Sequence, residues 1–217
     1  MNKIRKIIFA SCPLIFLGCN LDQGSSSYRN EEIVHNEYYN KLQADPDFKL
    51  KVQDLDLDYD IKKENVWCYS LAKNDTDRAK TLIRYLREDI PLECDDADAL
   101  VGPSPCVIDS KELDKAAKEH SEDMADNGMV TDVGSDGSTP KERAKRDGYD
   151  GNYVVEKVLV QDVGAGESIP HMVEKAMKSR SGFCSMVLDK KALHLSVEYA
   201  KKGDKAYWTF MYGDDRD

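Results

Sequence analysis

The chain has 217 residues, with 31 Lys and Arg against 41 Asp and Glu and a formal net charge of −10 at pH 7. Recognition of a polyphosphate needs a basic stripe, so this balance excludes nucleic acid as a partner. With 41% hydrophobic residues and six cysteines, the composition suits one ordinary core, stapled by disulfides if the chain is exported.

Met1 to Lys6 carries Lys3, Arg5 and Lys6, and the apolar run Ile7 to Gly18 follows. This is the layout of an export signal. A run of about a dozen residues is too short for a bilayer-spanning helix, which needs roughly 20. It ends in Phe16-Leu17-Gly18-Cys19, which resembles the lipobox of bacterial lipoproteins, with Phe16 where Leu is usual. The resemblance implies that residues 1–18 are a lipoprotein signal peptide and that Cys19 is diacylated as the new N-terminus. Two acyl chains on one residue give stable anchoring. The expected partner is therefore a membrane, met through the N-terminal lipid. The expected location is the bacterial cell envelope, an outer membrane with the domain facing the periplasm or the outside. Loss of the signal takes the formal net charge from −10 to −13.

Residues 19–65 read as a charged tether. Gly24-Ser25-Ser26-Ser27 is flexible and polar, and Arg29 to Lys63 is charged with scattered apolar positions. That stretch suits either a helix followed by an acidic extended segment or a disordered tether. Asp54, Asp56, Asp58 and Asp60 alternate. They lack the Gly and terminal Glu of a calcium loop, so a solvated face is expected.

Residues 66–217 are the expected folded domain. Ala79, Leu82, Ile83 and Leu86 fall on one face of a helix over 75–87, capped by Asp75 or Thr76. Leu113, Ala116, Ala117, His120, Met124 and Ala125 stripe a second helix over 110–127, with Asp109 or Ser110 before it and Gly128 just beyond. Pro140 opens a third, to Asp147, and 170–179 is a fourth. Strands follow at 153–160, 193–199 and 205–212, the last two forming a hairpin across Gly203. Helices precede mostly antiparallel strands, so the fold class is α+β.

Cys68, Cys94, Cys106 and Cys184 remain after the signal and the lipid site are set aside. An even number in an exported chain reads as disulfides with three possible connectivities. The short Gly-Pro-rich loop between Cys94 and Cys106 favours that pair, leaving Cys68 with Cys184. No CxxC spacing supports a zinc site instead.

Three stretches together resemble the bacterial form of the CAP superfamily, also called the SCP or cysteine-rich secretory and antigen-5 family. They are LDKAAKEHSEDMADNGM with SDGSTPKERAKRDGY (Leu113 to Tyr149), the Ser179-Arg180-Ser181-Gly182 turn, and the closing pair LSVEYA and AYWTFMYG. The resemblance implies an α-β-α sandwich, a small antiparallel sheet between helices. It also implies a cleft tetrad of two His and two acidic residues able to hold a divalent metal. The matching positions here are Asp132 and Phe183, where relatives carry His, and Glu156, which keeps its carboxylate.

Both imidazoles are thus replaced, and a carboxylate beside a phenyl ring makes a poor zinc site. No cofactor or metal and no catalytic residue is expected. His120 reads as a packed, hydrogen-bonded core residue, His35 and His171 as surface, and His194 as facing either way. Ser181 reads as turn chemistry, since no GxSxG is present. The expected function is a non-catalytic binding or interaction module on a lipid tether, taking a lipid, glycan or protein ligand. The alternative is a hydrolase acting on cell-wall or peptide substrates through Asp132 and Glu156.

Overall fold

A computed structural model of the chain describes residues 41, 44–57, 72–88, 90–95 and 100–214. The signal peptide, Cys19, most of the tether, His35 and Cys68 lie outside the described residues. Within them the chain runs β1 (Leu50–Lys51), a 3-10 turn (Val52–Asp54), α1 (Asp75–Glu88), β2 (Leu92–Glu93) and β3 (Ile108–Asp109). It continues through α2 (Lys111–Asn127), α3 (Pro140–Arg146), β4 (Tyr153–Asp162), α4 (Ile169–Lys178), α5 (Phe183–Val187), β5 (His194–Lys202) and β6 (Lys205–Asp214).

Local chemistry accounts for the helix ends. Ser110 accepts from Leu113 N at the start of α2, and Gly128 ends it at φ 64°, where a side chain would be strained. Thr139 and Glu142 form a reciprocal capping box on α3, with Pro140 in its first turn. Ser168 caps α4. At α1 the cap differs from expectation. Asn74, one residue earlier, accepts from Asp77 N at 2.8 Å. An Asx oxygen two or three residues ahead of a free N–H satisfies it without distorting the first turn.

The main sheet has the order β3-β5-β6-β4. β5 and β6 form the expected hairpin, and β4 pairs antiparallel with β6 from Tyr153↔Asp214 to Asp162↔Lys205. β3 adds a two-residue parallel contact on β5. Alternation sorts the side chains. Leu195, Val197, Trp208, Phe210 and Tyr212 face the larger core with residues of α1, α4 and α5, while Tyr207 and Met211 face α2 and α3. Helices therefore cover both faces of one sheet, an α+β fold with the α-β-α layering expected. Ala116 and Ala117 are fully buried on α2, where short side chains let the helix lie close to the strands.

Two expectations are corrected. Residues 50–57, read as tether, belong to the fold, because Leu50, Val52, Leu55 and Leu57 are buried in the main core and β1 pairs in parallel with β2; residues 58–65 lie outside the described residues. The alternation explains this: Asp54 and Asp56 point to water while the leucines between them point inward. The disulfide pairing also differs. Cys94 is bonded to Cys184, and Cys106 is disulfide-bonded elsewhere than to Cys94. Cys94 and Cys184 both sit in the main core, so the bridge pins the segment after β2 to α5 across 90 residues of sequence. Loop length alone could not reveal that proximity. Helix α5 itself had no sequence signal, being only five residues long.

Arg87 is fully buried. Its nitrogens donate to Val187 O at 2.7 Å, to Ala192 O at 3.2 Å and to Pro105 O. The guanidinium lies over the Tyr212 ring. Three carbonyls and a ring face stand in for the water the charge has lost.

Candidate functional site

The three tetrad-matching positions do not converge. Phe183 is fully buried and packs edge-on against Phe210 at 5.1 Å between ring centroids, inside the main core. Asp132 is exposed in the loop after α2, and it is its backbone carbonyl that is engaged. Glu156 points inward on the opposite face of the sheet from Phe183, from the middle of β4 on the side facing α2 and α3, its side chain wholly withdrawn from solvent.

What meets Glu156 is different from expectation. Arg143 of α3 reaches it through Nη2, 2.8 Å from Oε1. The same guanidinium donates to Asp132 O at 2.9 Å and Ser138 O at 2.7 Å. His120 of α2 brings Nε2 to 3.4 Å from the same Oε1 and 2.8 Å from Thr131 O. A carbonyl can only accept, so Nε2 carries the proton. Nδ1 then presents a lone pair, 4.0 Å from Asp123 Oδ2. His120 and Arg143 together hold the 131–138 loop by its carbonyls against the centre of the sheet.

Burial pushes the Glu156 carboxyl up to about 7, even against the pull of the Arg143 guanidinium; the Asp132 charge adds to the rise. His120 moves the other way. Burial, then the Arg143 charge, lowers its pKa. Three atoms of the cluster, Glu156 Oε2, His120 Nδ1 and Arg143 Nε, are buried without a hydrogen-bond partner. Such atoms raise the cost of keeping charge inside.

A divalent metal does not fit these residues. The one inward carboxylate already carries a guanidinium, so a cation beside it would be repelled at contact distance. Phe183 supplies no donor, and no group of three metal-ligating side chains is gathered among the described residues.

Of the other sequence candidates, His171 is exposed as expected. His194 accepts or donates at Nδ1 with the Tyr149 hydroxyl, 2.9 Å away. Ser181 shares a 2.7 Å hydrogen bond with Ser179 in its turn. Sequence reading placed His120 correctly in the core but missed Arg143. The only signal for it was its place beside Ala144 on a helix with no other inward-facing apolar side chain. A surface depression of about 490 Å³ lies at the start of α4, around Ser168, His171 and Lys175, away from the cluster.

No family model matches the chain, and no curated protein matches it. Among solved structures, an extracellular protein containing a SCP domain from Bacillus anthracis is similar at 18% identity and a TM-score of 0.44. That similarity covers 51% of this chain and 34% of the other, so the chain spans about a third of that protein. An outer surface protein from Borrelia burgdorferi is similar at 15% identity and a TM-score of 0.47, over 75% of this chain and 97% of the other.

Proposed function

We propose that the chain is a lipid-anchored binding module of the bacterial cell envelope, a CAP-like domain whose tetrad region serves as structure. The observation that carries this reading is the Arg143–Glu156 contact. The one acidic group retained at a tetrad position is neutralised by a guanidinium from α3 and shut away from solvent, so it has no free face for a substrate. Export is supported by the disulfide state, since no described cysteine is a free thiol and such bonds persist outside the cytosol. The membrane link rests on Lys3, Arg5, Lys6 and the Gly18-Cys19 step. The ligand classes are a lipid, a glycan or a protein.

A second reading has one observation in its favour. A carboxyl near pH 7 beside an imidazole is the pairing a general base uses, which is the form a hydrolase acting on cell-wall or peptide substrates would take. Its 3.4 Å spacing and complete burial oppose that use, because a base must reach the proton it removes.

The test has two arms. Cells carrying the full chain are labelled with a fatty-acid probe, and Cys19→Ala is expected to lose both label and membrane association. The purified domain is then incubated with peptidoglycan fragments and a peptide library, and the products are read by mass spectrometry. Binding without turnover is expected. Turnover that disappears in Glu156→Gln would establish the hydrolase instead.

A further inference from the structure

Among the described residues no strand covers the outer edge of β4. Among the described residues β4 is the last strand of its sheet, ten residues long, and of Tyr153 to Val160 only Glu156 is buried. The direction of its free backbone groups follows from one end. Asp162 N donates to Glu167 Oε2 and Asp162 O accepts from Glu167 N, both outside the sheet. Asp162 therefore faces away from β6. Because the unbroken register alternates with period two, Val160, Val158, Glu156 and Val154 present their N–H and C=O groups the same way. Among the described residues none of these four has a backbone partner on that side. Long edges are commonly blunted by bulges, Pro, edge Lys or inward charges; this one has neither bulge nor Pro, and its inward Glu156 and central Lys157 leave the backbone groups available while disfavouring indiscriminate pairing.

Three cations lie along the start and centre of the edge in a chain of net charge −10. Lys157 sits at its centre and donates only to Ser181 O at 2.7 Å. Arg180 stands exposed in the adjoining turn, and Lys141 donates to Asn152 O at the strand's start. None of the three has a carboxylate partner among the described residues; of the strand's own two acidic residues, Glu156 is matched by Arg143 and Asp162 lies at the far end, its backbone already engaged by Glu167.

We propose that the β4 edge takes an extended acidic peptide segment of a partner protein by strand addition. Main-chain hydrogen bonds to Val154, Glu156, Val158 and Val160 would supply the affinity, and carboxylates opposite Lys157 and Arg180 the selectivity. A second copy of this chain fits less well. Antiparallel pairing about the strand's centre sets Lys157 against Lys157, and like charges directly opposite are unfavourable. The inference rests on the binding-module reading and names its partner class.

The probe is a fluorescein-labelled decapeptide of alternating Val and Glu, compared with its Val and Lys counterpart, on the disulfide-bonded domain in low salt. The acidic peptide is expected to bind at least tenfold more tightly and to slow hydrogen exchange at Val154, Glu156, Val158 and Val160. Lys157→Glu is expected to reverse the preference. Val158→Pro removes an outward N–H that the β4–β6 ladder does not use, and is expected to weaken binding at least tenfold. Should that variant misfold, wild-type exchange decides alone. No binding, binding without protection of those four amides, or protection that instead grows with protein concentration as the chain dimerises, each overturns the peptide proposal. All of these leave the binding-module reading standing, because that reading is tested separately, by turnover and by the fatty-acid label on Cys19.

Discussion

The guanidinium of Arg143 stands 2.8 Å from Oε1 of Glu156 with both side chains out of contact with solvent. Removing the cation strands a carboxylate in the interior, whereas removing the charge from the carboxylate leaves Arg143 its two carbonyl acceptors. Arg143→Met is therefore expected to cost about 3–5 kcal/mol of folding stability, the range for breaking a buried pair. Glu156→Gln is expected to cost less. Urea denaturation followed by Trp fluorescence measures both, and equal losses would show that the pair does not act as argued.

The same carboxyl makes stability depend on pH. Glu156 is held up to about 7 in the folded chain, above its unfolded value near the usual 4.3. Between those values the folded state binds the extra proton, so this group's contribution is present at low pH and is lost as pH rises through about 7. His120, with its pKa lowered, works in the opposite sense below its unfolded value. The two are separated by difference. The stability of wild type minus that of Glu156→Gln is expected to fall from pH 4.5 to 7.5, and a flat difference would contradict it.

Phe183, which the sequence resemblance matches to a His of the family, is core. Asp132→His with Phe183→His is expected to lose stability, on the order of the 3–5 kcal/mol seen for emptying a buried aromatic site. It is not expected to create a zinc site, because Asp132 lies in the solvent-facing loop. Calorimetric zinc titration of the double variant against its thermal midpoint checks both halves.

Digestion without reduction is expected to yield a peptide pair joining Cys94 to Cys184 and none joining Cys94 to Cys106. Changing both Cys94 and Cys184 to Ala is expected to cost about 2–5 kcal/mol, typical for a native bridge in a small exported domain. A measured midpoint unchanged from wild type would mean the bridge is idle.

Tyr149 lies over Gly213, where a Cβ would overlap its hydroxyl, and that hydroxyl is bonded to His194. Gly213→Ala is expected to destabilise by about 1–3 kcal/mol, the usual cost of overpacking. Tyr149→Phe in the same background should recover part of it, read as a rise in thermal midpoint.

Much of the scaffold was determined by the sequence alone. The stripe from Leu113 to Ala125, the Ser110 and Gly128 caps, Thr139-Pro140, and the alternation from Leu195 to Tyr212 are local signals, and each element formed where its own chemistry placed it. Apolar period and cap geometry need no distant partner. The inward-facing leucines at 55 and 57 are masked in the sequence by the aspartates that alternate with them. What only the tertiary structure decided is every relationship across the chain. Cys94 meets Cys184 because β2 and α5 share a core. Arg143 turns inward because Glu156, 13 residues on, is buried where a charge must be matched. Among the described residues β4 is an edge strand because β6, and not β4, lies inside the sheet. Charge pairing and strand order are set by the free energy of the whole packed arrangement, in which desolvation makes an unmatched group costly, and no window of sequence contains both partners.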